Sequence, residues 1–394
     1  MPLVRTITAG CLLEVALAWA AVFAPGSEFP AFRVVHRGTT TLPQSIADRD
    51  GLEVPITGLS GITWLGDDRY AAIMDNSDKL LLFRMKIAPD GTPGEPGDMQ
   101  LVTLSERHDY EDVSVCPEQL RTRIAARRVK QGLPDPGTVL LVCEEDTPAI
   151  RAVSLADGGL LGIIPIPEVF ATRRPNRGLE SLDIDPDGGH LWTANEEALP
   201  ADGPQATVDG GTVVRLARIA IPEAGNHRRD ESTQLAYAVD PPHHFVRVFT
   251  GEPLSGVAAV TGLGDGQLLV LERSGCPGLP PFENRLYLAD TRSGRDATAV
   301  DRGLAERPAG HVAKALLWKD QFGCNMEGLC LGPTLRGNSR AVVAIADNNG
   351  LGTLNLILAF SLEDRPPELP APTIAGIAAL IVVSAGLAML WFAR

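Results

Sequence analysis

The sequence predicts an all-β fold, a single β-propeller of six blades. Two observations carry this expectation. A short phrase of a small or acidic residue, a small residue and alternating apolar positions recurs along the chain. It reads Gly58-Leu59-Ser60-Gly61-Ile62, Tyr110-Glu111-Asp112-Val113, Gly178-Leu179-Glu180-Ser181-Leu182, Leu254-Ser255-Gly256-Val257 and Met326-Glu327-Gly328-Leu329. A second phrase answers each downstream, an apolar run ending in a carboxylate: Ala72-Ile73-Met74-Asp75, Leu141-Val142-Cys143-Glu144, Trp192-Thr193-Ala194-Asn195-Glu196, Val270-Leu271-Glu272 and Ile345-Ala346-Asp347. Strand-length runs repeated this way indicate one supersecondary unit used several times. Radial repetition of such units hides sheet edges by closing the ring.

The composition agrees. The 44% hydrophobic and 21% charged content is that of a globular chain. The 40 Gly and 31 Pro punctuate it with turns, which suits many short strands rather than a helical bundle. Five units are marked, and the length between the two ends suits six. The intervals between phrases exceed a bare four-stranded blade of about 40–50 residues, so long insertions are expected between strands. The N-terminal strand near Phe32-Arg33-Val34-Val35 is expected to pair with the last repeat near Leu354-Asn355-Leu356-Ile357-Leu358. Two stacked sandwich domains are the competing architecture, but no linker-like composition divides the chain.

The ends read differently. In residues 1–29, Arg5 precedes a largely apolar stretch from Ile7 to Ala24, the pattern of a signal peptide or an uncleaved signal anchor, although Glu14 interrupts it. Residues 30–364 form the propeller, 365–372 a Pro-rich spacer, and 373–392 a transmembrane helix. The last segment, Thr373 to Phe392, carries no charge and spans about 30 Å as a helix, a bilayer core's thickness. Arg394 fits a cytoplasmic end. The expectation is an exported domain tethered on the extracytoplasmic side. Five cysteines remain beyond Cys11; Cys116 follows the first phrase of one repeat and Cys143 belongs to the second, on strands expected to be neighbours, but spacing fixes no pairing and the odd count leaves at least one thiol free.

A formal charge of -14 excludes nucleic acid as a natural partner. The exception is the run Arg121-Thr122-Arg123-Ile124-Ala125-Ala126-Arg127-Arg128, which reads as a solvated insertion. No Gly-x-Ser-x-Gly elbow, phosphate-cradling Gly loop, zincin helix or Cys-x-x-Cys spacing occurs.

The middle and last thirds carry a further set of phrases: Pro165-Ile166-Pro167-Glu168-Val169-Phe170, Arg174-Pro175-Asn176-Arg177-Gly178-Leu179-Glu180-Ser181-Leu182, Leu191-Trp192-Thr193-Ala194-Asn195-Glu196-Glu197, Leu271-Glu272-Arg273-Ser274, Asn284-Arg285-Leu286-Tyr287, Asn325-Met326-Glu327-Gly328-Leu329 and Ala346-Asp347-Asn348-Asn349. In this order, from about Phe32 to Leu362, the chain resembles the phytase-like domain family, "esterase-like activity of phytase". The chain departs from the family's usual acid before Gly at Ser60 and Ser255. The resemblance implies a propeller and a hydrolase of phosphate or carboxylic esters.

Carboxylates recurring in phase gather at one mouth of a radial fold, and hard oxygen ligands in that number suit a divalent cation, calcium above all. The expected metal ligands are Glu111, Glu180, Glu196, Glu272, Glu327 and Asp347, supported by Asp75, Asn76, Asn195 and Asn348. Glu180, Glu272 and Glu327 are the acid/base candidates. Arg177, Arg273 and Asn195 are the substrate-binding candidates, because a guanidinium matches an anionic ester. The competing reading makes these acids turn caps and blade-to-blade clips, with the arginines as their ion-pair partners. A non-catalytic propeller binding a sugar, peptide or envelope partner and a lactonase-like propeller remain alternatives to the hydrolase.

Overall fold

The computed structural model describes residues 32–221, 232–298, 303–304, 310–320, 323–348 and 354–365. The leader 1–29, the spacer beyond Arg365 and the segment 373–392 lie outside the described residues. Among the described residues no helix is long and apolar enough to cross a membrane.

Five four-stranded antiparallel sheets form the blades. Blade 1 is built from Leu59–Gly66, Arg69–Met74, Ser77–Arg84 and Gly97–His108; blade 2 from Tyr110–Val115, Val139–Glu144, Ala149–Ser154 and Leu160–Ile164. Blade 3 comprises Leu179–Ile184, His190–Asn195, Thr212–Ala220 and Ser232–Val239; blade 4 comprises Leu254–Gly264, Gln267–Gly275, Phe282–Asp290 and Ala313–Lys319. Blade 5 takes Asn325–Thr334, Arg340–Asp347 and Asn355–Asp364, and the N-terminal strand Phe32–Leu42 completes it as the outermost member. The expected pairing of first and last strands is therefore present.

The first strand of each blade packs against the first strand of the next, and blade 5 packs back on blade 1, so the ring closes. Apolar side chains fill the spaces between successive blades. Ala71, Ile73, Leu80, Val113, Leu140 and Val142 fill blade 1 to blade 2, while Cys143, Leu179, Leu182, Leu191 and Ala217 fill blade 2 to blade 3. Second strands are buried on both faces by this packing. That is why Val139–Glu144 and Arg340–Asp347 read as continuous apolar runs rather than alternating ones.

The six-bladed expectation is corrected to five. The extra chain length goes into insertions, not a sixth sheet: the helix Glu118–Lys130, the ribbon Ser45–Ala47 with Glu53–Pro55, the ribbon Val246–Arg247 with Gly278–Leu279, and the loop between Asn195 and Thr212. The described cysteines Cys116, Cys143, Cys276, Cys324 and Cys330 are all free thiols. Cys116 and Cys143 do share one core cluster.

Candidate functional site: an acidic channel mouth

Each first strand carries a register shift against its partner, at its start in four blades and three residues further in for blade 4, with one extra residue standing unpaired. The shifts fall between Leu59 and Gly61, Tyr110 and Asp112, Leu179 and Ser181, Val257 and Ala259, and Met326 and Gly328. A bulge of this kind bends the strand and re-aims a side chain at a barrel rim. The extra residues are Ser60, Glu111, Glu180, Ala258 and Glu327. The small residues beside them have a steric cause. A Cβ at Gly61 would stand 2.4 Å from the Asp112 carboxylate, and one at Gly328 would stand 2.8 Å from the Gly61 Cα. The first strands approach too closely there for a side chain.

Register also fixes the second ring. Met74, Glu144, Asn195, Glu272 and Ala346 pair with the residue before each bulge. The next residues outward are Asp75, Glu145, Glu196, Arg273 and Asp347. Four acids and one arginine thus hold equivalent places.

These two rings meet. Burial drives the Glu111 carboxyl well above its ordinary range, and Asp109, Glu145, Asp75 and Glu327 add like charge. Burial likewise raises Glu180, reinforced by Glu111 and Glu196 and opposed by Arg273. Glu145 is pushed up to about 7 by burial, against the pull of its bond from the Gly178 amide. Glu327 reaches about 7 through burial, with Arg273 pulling it down and Glu196 pushing it up. Asp75 is raised to about 6 by burial, then by Asp109 and Asp347.

The acids divide by what they bond. Asp347 Oδ1 accepts from the amides of Gly58 at 2.7 Å and Leu59 at 3.2 Å, clipping blade 5 to blade 1. Glu145 Oε1 accepts from Gly178 N at 2.5 Å, clipping blade 2 to blade 3. Asp109 Oδ1 accepts from Asn76 N at 3.1 Å. Glu196 lies 2.7 Å from Arg273 Nη2 and 2.9 Å from Arg177 Nη1, and Arg177 Nε stands 3.4 Å from Glu197. Arg273 also pairs with Glu327 and donates to Asn325 Oδ1 at 3.1 Å. Burial pulls Arg273 down, but Glu327 and Glu196 outweigh it and hold the guanidinium charged. Glu111 and Glu180 are different. Each is only 8% exposed, and neither carboxylate accepts a hydrogen bond or joins an ion pair with a described residue.

One oxygen each from Asp109, Glu111 and Glu145 lies within 4.8 Å of the other two. Oxygens 2.3–2.6 Å from one calcium stand no more than about 5 Å apart, so this trio has the dimensions of a ligand set. Asp109 and Glu145 escaped the sequence reading. The in-phase position after Cys143 is Glu145, not Glu144, whose carboxylate is bound by Arg151 at 2.7 Å and His108 at 3.0 Å.

Three expected members have other tasks. Glu272 precedes Arg273, and strand alternation sends it away from the mouth. Its oxygens take Tyr237 Oη at 2.8 Å, Asp240 N at 3.0 Å and Lys314 Nζ at 2.5 Å. Asn195 is fully buried: its Oδ1 accepts from Arg215 N at 3.0 Å and its amide donates to the Glu197 carbonyl, so it has a structural task. Asn348 likewise spends its amide on Gln44 Oε1 at 3.0 Å and the Ile56 carbonyl at 3.2 Å.

Among solved structures the chain is similar to a streptogramin B lyase at 10% identity and TM-score 0.32, covering 86% of this chain and 100% of that one. It is similar to the PQQ-bound aldose sugar dehydrogenase of Streptomyces coelicolor at 10% identity and TM-score 0.35, covering 85% and 99%. A tail fibre of Staphylococcus aureus phage P68 matches at 9% identity and TM-score 0.36, over 88% of this chain and 56% of that one. No curated protein matches. The model of one family, phytase-like, "esterase-like activity of phytase", matches residues 54–350, from before the first strand of blade 1 to beyond the second strand of blade 5. This propeller belongs to that family.

Proposed function

We propose that the protein is an exported, membrane-tethered hydrolase of phosphate or carboxylic esters that works with a divalent cation, calcium by preference, at the acidic mouth. The observation that carries the reading is the pair Glu111 and Glu180, buried carboxylates with no donor. A structural clip has amides to bind; these two have none, and like charges crowded in a largely buried mouth cost free energy unless a cation or a proton joins them. A cation held by Asp109, Glu111 and Glu145 would remove that cost. Asp109 and Glu145 each spend one oxygen on a backbone amide, which anchors them, and their carboxyl groups meet each other, a contact that a cation would take over from a shared proton.

A divalent ion there supplies polarisation of the ester oxygen and acidification of water. The chain's own residues do the rest. Glu180 stands beside the trio with its affinity for a proton raised, which suits a general base taking the proton from attacking water. Arg177 is held against Glu196 and Glu197, and from there its guanidinium can meet the anionic part of an ester. Arg273 is a positioning residue, since its bonds go to Glu196, Glu327 and Asn325. The tether rests on the uncharged segment 373–392, and no nucleic acid is implied by the acidic charge.

The test is elemental analysis and calcium titration of the full chain, with turnover on phosphate esters, carboxylic esters and lactones. Glu111→Gln is expected to weaken calcium about 100-fold or more and to remove turnover from a folded protein. Absence of both calcium binding and turnover would leave a binding module. Turnover confined to lactones would favour the lactonase. The tether is read separately: the full chain should stay in membranes through alkaline carbonate, and truncation after Asp364 should release it.

A further inference from the structure

The one markedly basic element among the described residues has no part in the mouth. The helix Glu118–Lys130 carries Arg121, Arg123, Arg127, Arg128 and Lys130 against the single acid Glu118. Leu120 and Ile124 pack against the core between blades 2 and 3, and Ala125 is buried. Pro117 starts the helix, and Arg127, Arg128 and Lys130 in its last turn suit the negative end of the helix dipole. Arg121 is committed, 2.8 Å from Glu118 and 3.4 Å from Asp135. Arg123, Arg127 and Lys130 pair with no carboxylate of the described residues. Val129 and Leu133, 62% and 45% exposed, stand among them.

Strand direction fixes the side on which this helix lies. Tyr110–Val115 starts at the mouth and ends at the opposite face, and Val139–Glu144 returns from that face. The helix joins them there, with Gln119 and Pro117 against the turn at Gly188. The last strand of the chain, Asn355–Asp364, runs the same way: Leu356 pairs with Ala346 near the mouth, and Leu362 pairs with Arg340 at the far end. The first described strand begins at that end too, since Arg33 Nη2 lies 2.6 Å from Glu363. The chain therefore enters and leaves the propeller on the face that carries the basic helix.

We infer that the helix Glu118–Lys130 docks on an anionic lipid surface, orienting the propeller with its acidic mouth away from the bilayer. This rests on the proposed tether for its geometry. Eight spacer residues reach at most about 29 Å, so a tether at 373–392 would limit how far the end of the last strand could stand from a bilayer. Charge complementarity selects anionic headgroups, and Val129 and Leu133 supply apolar contact at the headgroup boundary. The turns sharing this face carry acids at Asp67, Asp68, Asp90, Glu95, Asp157, Asp187 and Asp265, with Asp157 close enough to feel Arg128, so the attraction is local to the outer side of the helix. Each cation near an anionic surface is worth about a fivefold gain in partitioning, and three together about a hundredfold.

The experiment places the full chain in nanodiscs of phosphatidylcholine alone or with added phosphatidylglycerol and follows amide hydrogen exchange. Exchange at 118–133 should slow several-fold only with phosphatidylglycerol. The protection should vanish in 0.5 M NaCl and in the variant Arg123→Gln/Arg127→Gln/Lys130→Gln, which leaves the packed face intact. Equal exchange in both lipids overturns the inference while leaving the tether standing. If the chain fails to enter nanodiscs, the tether is wrong, and sedimentation with phosphatidylglycerol vesicles then reads the helix alone. Wild-type protein should pellet and the triple variant should not; wild type staying in solution, or pelleting no better than the variant, overturns the docking. Retention on heparin without binding to phosphatidylglycerol would also overturn it, in favour of a soluble polyanion.

Discussion

Blades 2 and 4 bring opposite electrostatics to the same mouth. Blade 2 contributes Glu111 at its bulge and Glu145 just beyond the second strand; blade 4 contributes Ala258 and Arg273 at the equivalent places. On the blade 4 side the acids of the neighbouring blades are already neutralised, Glu196 and Glu327 by Arg273. On the blade 2 side Asp109, Glu111 and Glu145 face one another, and the cation beside them, Arg173, spends its hydrogen bonds on the Glu145 and Asp146 carbonyls rather than on the carboxylates. The difference teaches where a missing charge belongs. A ring of identical acids would leave an ion no preferred place; with one blade's arginine in the ring, the opposite side is where the proposed cation would go.

The largest expected effect breaks this comparison from the blade 4 side. Arg273→Ala strips Glu196 and Glu327 of their common partner and leaves buried carboxylates uncompensated, a loss of about 3–5 kcal/mol. Chemical unfolding reads it. Calcium should restore part of the stability by occupying the vacated side. If Arg273→Ala unfolds at the wild-type midpoint with or without calcium, the arginine is not what separates the two sides.

The architecture was legible where burial is two-sided. Second strands such as Val139–Glu144 announce themselves as apolar runs because blades cover both faces, and the glycines of the first phrases mark strands too close for side chains. Blade number was not legible, because inserted helices and ribbons lengthen the intervals as a sixth sheet would. In blade 4 the sequence phrase is out of phase: Leu254-Ser255-Gly256-Val257 imitates the motif three residues early, while the bulge itself falls on Ala258. That slip placed Glu272 at the mouth and hid Arg273 as the member of the acid ring. Glu145 was masked by the adjacent Glu144, which only register and the Arg151 pair set apart.

Proton linkage gives a smaller effect that sharpens the comparison. Folded-state affinities for protons are raised at Asp75, to about 6, and at Glu145 and Glu327, to about 7. The folded state then binds more protons than the unfolded one between about pH 4 and pH 7. Calcium-free stability should therefore fall as pH rises through that window and level off above it. One group moved from 4.5 to about 7 accounts for about 3 kcal/mol. Calcium competes with those protons, so its stabilisation should be greatest above pH 7 and fade below pH 5. Unfolding midpoints from pH 4 to 8, in chelator and in calcium, measure both. A calcium-free protein that gains stability up to pH 8 would mean that the blade 2 carboxylates are compensated from within.

The smallest effect separates clip from ligand. Asp347 and Glu145 occupy equivalent places, and each accepts a backbone amide from the next blade, Gly58 in one case and Gly178 in the other. Only Glu145 also belongs to the trio within 4.8 Å. Asp347→Asn keeps an oxygen for the Gly58 and Leu59 amides and loses only the charge that strengthens those bonds. The expected cost is about 1 kcal/mol, seen as a lower urea midpoint at constant slope, with calcium affinity within twofold of wild type. Glu145→Gln makes the same change at the same kind of clip and should cost comparable stability, yet it removes a ligand charge and should weaken calcium at least tenfold. The pair thus isolates position from chemistry, because both are carboxylates at the same ring place that accept a backbone amide of the next blade, while the neighbours differ. An equal fall in calcium affinity from both variants would shift the ion from the blade 2 side to the channel axis, where all four acids of the ring contribute alike.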